Sequence, residues 1–278
     1  MEKIDSQKHP VIALLREIAT EDGRRRTGRF FAEGEELSRR AFDYGGSVEA
    51  VVLSDRFAGS EQAAAILERA ASAGATAYCA SEGLIGKTLG AKPTPECVAI
   101  ALRKVASLSE ALSGGTPLVQ MVENGDNADN LGMLLRSTDA AGVSGVILSG
   151  ETTDPFARRV VRGSRGAIFT VPICIYPDAA RAIAEARSRG IQVVATSAKA
   201  DVSYTEVDYT APTMFVAGSE HFGISDAVRE LADVVVRIPM LGKINSLNIA
   251  VAASLVLYEA VRQRKSGRDQ PRANASYV

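Results

Sequence analysis

The 278-residue chain contains no tryptophan, and its aromatic fraction is only 5%. That scarcity argues against a surface that reads single-stranded bases chiefly by stacking them on rings. Histidine occurs twice, as His9 and His221, and cysteine three times, as Cys79, Cys97 and Cys174. No CxxC pair and no histidine cluster is present, so neither a zinc site nor a disulfide framework is readable, and no metal is expected. A charge excess is missing too: 32 basic against 33 acidic residues give a formal net charge of −1. This excludes a globally cationic nucleic-acid binder, so any such contact must come from a local patch. Long apolar runs are also lacking. The longest, near 249–257, falls well short of the roughly 20 residues of a membrane span, and the first ten residues are too polar for a secretory leader. A cytoplasmic protein without membrane contact is expected.

What is present is aliphatic. The apolar fraction is 46% and the charged fraction 23%, the balance of a globular protein with enough chain for two domains. In the first part, helical spacing is read at 11–19, 35–43 and 61–73, and strand-like runs at 30–32, 48–53, 75–79 and 98–101. Arg24, Arg25, Arg26 and Arg29 make a basic turn between the first helix and the first strand. The stretch 107–116, with Gly114, Gly115 and then Pro117, reads as a linker. It divides the chain into a domain at 1–106 and another at 117–265, and the polar 266–278 is expected to be a disordered tail. In the second domain, strands at 118–122, 145–148, 191–195, 214–217 and 234–238 alternate with helices at 131–141, 156–162, 179–188, 225–231 and 246–264. Nearly continuous apolar strands between helices predict an α/β fold with a parallel sheet covered on both faces.

Ligands in such sheets bind in the loops at the carboxyl ends of strands. Three of these loops are rich in small and polar residues: 123–130, 218–223 and 242–248. The first opens the helix carrying Asn130 and Arg136, expected on roughly one side about two turns apart. Taken singly, each has a plain structural explanation. Gly218, Ser219 and Glu220 suit a turn and helix cap, Arg136 suits a solvated surface, and Ser246 with Asn248 suits a helix start.

Taken in order they carry more. Asn130, Leu131 and Gly132 with Arg136, then Gly218 to Gly223, then Ile238, Pro239 and Met240 with Ser246, Leu247 and Asn248 resemble the three motifs of the SpoU/TrmH family of RNA methyltransferases. Ser164, Arg165, Gly166 and Ala167 followed by Val171 and Pro172 resemble a further recurrent family segment, and the likeness spans 118–264. The segment 25–34 is similar to the accessory RNA-binding domain of these enzymes, which is like ribosomal protein L30e.

The resemblance implies a C-terminal parallel-sheet methyltransferase domain tied in a trefoil knot, with a smaller N-terminal L30e-like α/β domain. It implies S-adenosyl-L-methionine as cofactor, held by Gly218, Ile238 and Leu247, and Asn130, Arg136, Glu220, Ser246 and Asn248 as catalytic and RNA-positioning residues. It further implies methylation of a ribose 2'-hydroxyl by a homodimer built through the C-terminal domain; rRNA and tRNA methylases share these motifs, and the two-domain layout favours rRNA. Arg24, Arg25, Arg26 and Arg29 are expected to meet phosphates, and Arg165, where relatives often carry a smaller residue, to meet RNA or cofactor. Two departures are Ala128 and Asp129, where Pro-Gly is common, and His221 in place of a common glycine. The competing readings are a tRNA 2'-O-methyltransferase, a non-catalytic L30e-type RNA-binding protein and a dinucleotide-dependent enzyme. The last would need a glycine fingerprint that Gly125 and Gly132 alone do not make.

Overall fold

The structure is a computed structural model and describes residues 1–219 and 222–266. In chain order the first part forms β1 (Glu2–Ile4), α1 (Pro10–Ile18), α2 (Glu21–Thr27), β2 (Arg29–Glu33), α3 (Glu35–Asp43), β3 (Val48–Ser54), α4 (Glu61–Ser72), β4 (Thr76–Ala80), α5 (Glu82–Leu89) and β5 (Cys97–Leu102). There follow α6 (Leu108–Ala111), β6 (Leu118–Glu123), α7 (Ala128–Ala140), β7 (Gly145–Ser149), α8 (Arg158–Ser164) and β8 (Ile173–Ile175). The remainder comprises α9 (Ala179–Ser188), β9 (Gln192–Thr196), β10 (Val202–Ser203), β11 (Thr213–Ala217), α10 (Asp226–Leu231), β12 (Val234–Arg237) and α11 (Ile249–Ser266). The expected tail lies, beyond Ser266, outside the described residues.

Helix caps explain where the sequence reading slipped. The basic turn is a helix, α2. The Thr20 side chain accepts from the Gly23 amide, Glu21 and Asp22 occupy the first turn, Arg24 to Arg26 the last, and left-handed Gly28 closes it. Acids at the start and bases at the end suit the helix dipole. The expected linker contains α6, started by a capping box in which the Ser107 hydroxyl and the Glu110 side chain each accept from the other residue's amide. The last helix begins three residues later than expected because the Asn248 side chain caps it, accepting from the amides of Ala250 at 2.9 Å and Val251 at 3.4 Å.

The chain forms two compact units. The first contains Met1–Ala106, Asp126–Asp139 and Thr152–Ile173; the second contains Ser107–Gly125, Ala140–Glu151 and the described chain from Cys174 on. In the first, five strands run in the order β1-β4-β3-β5-β2. β3 and β1 lie parallel to β4, while β5 is antiparallel to β3 and β2. Ile12, Leu15 and Ile18 project from α1 into a core with Phe31, Val52, Ile85, Val98 and Ile100, each worth about 1.5–3 kcal/mol on burial. Helices α7 and α8 belong to this unit, and they touch at two glycines. A Cβ on Gly132 would lie 2.9 Å from the Gly163 Cα, so neither position tolerates a side chain at that separation.

The seven-stranded sheet has the order β10-β12-β9-β11-β6-β7-β8. The pairings from β10 through β7 are all parallel, as expected. Val119, Met121, Val193, Ala195, Met214 and Val216 alternate along their strands and meet Ile183 and Ala186 of α9 in the second unit's core. α11 packs on β11 and buries Ala250, Ala253, Val256, Leu257 and Ala260.

Candidate functional site

A cavity of about 400 Å³ opens in the second unit beyond the carboxyl ends of β9, β11 and β12. Gly218, Ile238, Ser246 and Leu247 all line it, so four of the residues singled out in the sequence meet in one place. The chain after β11 doubles back on itself. Ser219 accepts from the Gly223 amide through its carbonyl at 2.9 Å and from the Phe222 amide through its hydroxyl at 3.1 Å, and Gly223 takes a left-handed φ of 69°. A Cβ on Gly218 would fall 2.0 Å from the Gly223 carbonyl carbon. Glycine is thus required there by the loop's own backbone. Glu220 and His221 lie outside the described residues.

The loop after β6 contributes structurally. The Glu123 carboxylate, buried at the strand's end, accepts from the Ser225 amide at 2.8 Å and its hydroxyl at 2.7 Å. Ser225 in turn caps α10 by accepting from Val228 at 3.2 Å, so one carboxylate sets where α10 begins. Asn248 is the cap of α11, as its plain reading held, and is not part of the cavity lining.

The remaining candidates belong to the first unit. Asn130 is buried near the start of α7, while Arg136 is exposed and makes no ion pair among the described residues. The expectation that they share a side is corrected: six residues advance a helix by about 240° past one full turn, leaving the two roughly 120° apart. Arg24 is likewise withdrawn from the phosphate-facing patch. Its side chain is 7% exposed and donates from Nε to Asp154 at 2.6 Å, and a guanidinium so enclosed has no path to a phosphate. Arg25 and Arg26 are exposed and pair with Glu21 at 2.6 Å and Glu17 at 3.1 Å. Arg29 holds Glu49 with both Nε and a terminal nitrogen, at 2.5 and 3.0 Å, and that hydrogen bond raises its pKa. Arg165 closes α8 in a left-handed conformation, φ 52°, and its half-exposed side chain pairs with Glu36 at 2.7 Å.

The model of the SpoU rRNA Methylase family matches residues 117–258. The chain belongs to this family. It is 36% identical over 165 residues to the 23S rRNA (guanosine-2'-O-)-methyltransferase RlmB of Pseudomonas syringae pv. tomato, a match covering 59% of this chain and 66% of that one. It is 41% identical over 144 residues to a 23S rRNA (uridine(2479)-2'-O)-methyltransferase of Streptomyces viridochromogenes, covering 50% of each. The chain thus spans less than two thirds of the length of these curated relatives. The crystal structure of the SpoU methyltransferase AviRb from Streptomyces viridochromogenes in complex with AdoMet superposes with a TM-score of 0.84 at 30% identity, covering 94% of this chain and all (100%) of that one.

Within this SpoU methylase, the sequence reading passed over the segment after β9. Thr196, Ser197 and Lys199 line the cavity, as do Arg229 of α10 and Asn245. The rule that picked out the other loops, a polar stretch at a strand's carboxyl end, applies equally to 196–199 and would have found it.

Proposed function

We propose that this SpoU methylase is an S-adenosylmethionine-dependent RNA methyltransferase that modifies a ribose 2'-hydroxyl, in rRNA rather than tRNA. The observation that carries the reading is the gathering of Gly218, Ile238, Ser246 and Leu247 around one cavity at strand carboxyl ends. Relatives named as 23S rRNA 2'-O-methyltransferases support the reaction and the rRNA target.

The residues present suit that cofactor. Ile238, Met240 and Leu247 offer apolar walls, and Gly218, Ser219 and Asn245 add polar lining, the mix that suits a purine-bearing ligand. When bound, S-adenosylmethionine supplies a methyl group carried on a sulfonium sulfur, which the ribose 2'-hydroxyl takes. Gly218, Ile238 and Leu247 hold the cofactor, and Asn130, Arg136, Glu220 and Ser246 orient the RNA. Arg136 offers a planar fork of donors, so it clamps a phosphate or hydroxyl. Asn248 acts by starting α11 beside Leu247. Arg25, Arg26, Arg29 and Arg165 serve as phosphate contacts from the accessory part.

The architecture belongs to the same proposal: an L30e-like accessory domain at 1–106, a linker at 107–116, and a trefoil-knotted methyltransferase domain at 117–265 that forms a homodimer. The parallel order β12-β9-β11-β6, with the chain after β12 entering the cavity before α11, supports the knot. On α11, Val251, Leu255 and Tyr258 are exposed on one face, an apolar stripe that supports pairing of two copies. Among the described residues, no helix is long and apolar enough to cross a membrane.

The test is calorimetry with S-adenosylhomocysteine and NAD, followed by mapping of methyl groups placed on rRNA and tRNA transcripts. Binding of the former alone, with a new 2'-O-methyl nucleotide in rRNA, is expected. Methylation of a base nitrogen, or binding of NAD alone, refutes the reading.

A further inference from the structure

We infer that Lys199 and Arg229 form an anion subsite in this cavity and hold the carboxylate of the cofactor's amino-acid end. The inference rests on the reading of the cavity as an S-adenosylmethionine site.

Among the described lining residues, Lys199 and Arg229 are the ionisable side chains; no described carboxylate faces the cavity. Among the described residues, neither cation has a carboxylate closer than 3.9 Å. Lys199 makes no ion pair among the described residues, and Arg229 has Asp226 only at 3.9 Å, with that carboxylate 97% exposed. A pair so open to water is worth little and gives way to a better-placed anion. The arginines of the accessory part differ sharply, since Arg24, Arg25, Arg26 and Arg29 each hold a carboxylate at 2.5–3.1 Å.

The two cations also come from fixed and separate elements. Lys199 sits in the turn after β9, its amide donating to the Ser197 hydroxyl at 3.3 Å. Arg229 sits on α10, whose start is pinned by Glu123 through Ser225. The segment from β12 into α11 supplies most of the apolar lining, including Val236, Ile238, Met240 and Leu247. The connections after β9 and β11 bring both cations to the same cavity, together with apolar Ala217, Phe222 and Ile224. The proposed cofactor can use both kinds of lining. Its adenosine suits the apolar walls, and its one anionic group is the carboxylate. Two cations in the described lining attract that group, and charge-assisted hydrogen bonds to it are about twice as strong as neutral ones.

The experiment compares two ligands on the full-length protein by calorimetry. S-adenosylhomocysteine carries the amino-acid end, whereas 5'-methylthioadenosine keeps the adenosine and thioether without it. Lys199→Gln and Arg229→Gln should each weaken S-adenosylhomocysteine by about tenfold, the scale of one hydrogen bond to a charged group. Each should leave 5'-methylthioadenosine within about twofold of wild type, and Lys199→Arg should recover most of the loss. Equal weakening of both ligands overturns the inference, as the cations would then serve the loop's shape. Unchanged S-adenosylhomocysteine affinity with weakened RNA binding also overturns it, assigning them to a phosphate. Wild-type protein that binds neither ligand overturns the cofactor reading, and this inference with it.

Discussion

Arg24 and Asp154, 130 positions apart, meet inside the first unit with Nε 2.6 Å from the carboxylate and side chains 7% and 4% exposed. A terminal nitrogen of Arg24 also donates to the carbonyls of Ile18 and Ala19 at 3.1 Å. The other Asp154 oxygen accepts from the Phe156 amide at 3.0 Å and lies 3.8 Å from Arg103, whose guanidinium sits 4.8 Å over the Phe156 ring. Burial pushes the Arg103 pKa down, opposed by Asp154. One carboxylate therefore balances two enclosed cations. Asp154→Ala leaves both uncompensated and should destabilise the protein by about 3–5 kcal/mol, whereas Arg24→Met with Asp154→Leu should cost much less. Urea unfolding measures this; a loss below about 1 kcal/mol for Asp154→Ala disproves it.

The patch that remains for RNA is narrower than the run of arginines implies. Arg25→Glu with Arg26→Glu should weaken RNA binding and lower the salt slope by as much as about 2, one for each lost phosphate contact. Binding of S-adenosylhomocysteine should be unaltered. Filter binding across a salt series would give an unchanged slope if these side chains only solvate α2.

Arg24 shows what the sequence hides. Four arginines between 24 and 29 look alike in one dimension, and only the fold brings Asp154 to the first of them. β8 and β10 of the larger sheet, of three and two residues, are too short to show a pattern, whereas β6, β7, β9, β11 and β12 were legible because they are apolar runs of four to six residues. α2 and α6 were not, because their signals are caps and charge placement over four to seven residues, too short for a hydrophobic period. The site was legible at Gly218, Ile238, Ser246 and Leu247 because their motifs are contiguous. Lys199 and Arg229 come to line one cavity only once β9 is placed beside β11.

Arg136→Ala should abolish methyl transfer while leaving S-adenosylhomocysteine affinity within about twofold, because its exposed guanidinium is assigned to the RNA. Single-turnover assays beside calorimetry separate the two. Retained chemistry with lost cofactor binding would move Arg136 to the other ligand.

Leu255→Glu with Tyr258→Glu should convert the protein to a monomer. Both positions are exposed in the single chain, so the secondary structure should survive while burial of two charges at a pairing surface is prohibitive. Sedimentation velocity decides it. A variant with the wild-type sedimentation coefficient places any pairing surface elsewhere.

Thiol chemistry reports on burial. The Cys97 thiol is pushed up to about 12, chiefly by burial, and Cys174 is raised for the same reason; a thiol whose pKa rises is less ionised at a given pH and so less nucleophilic. At pH 8 the native protein should react quickly only at half-buried Cys79, and the other two should label on unfolding. Mass spectrometry after alkylation identifies the site, and rapid native labelling of Cys97 contradicts the burial.

The helices α7 and α8 lie within the stretch 117–258 that defines the family, yet they pack with the first 106 residues. Going along the chain, the boundary between units is crossed at 106/107, 125/126, 139/140, 151/152 and 173/174. No single proteolytic cut can then release an intact half. A fragment beginning at residue 117 would strip Phe30 from the rings of Phe156 and Phe169, 5.0 and 5.8 Å away, and would leave Asp154 and Arg158 without Arg24 and Glu33. Exchanging the accessory part between relatives therefore means redesigning the surface of two helices along with the graft, so that specificity and scaffold are inherited together.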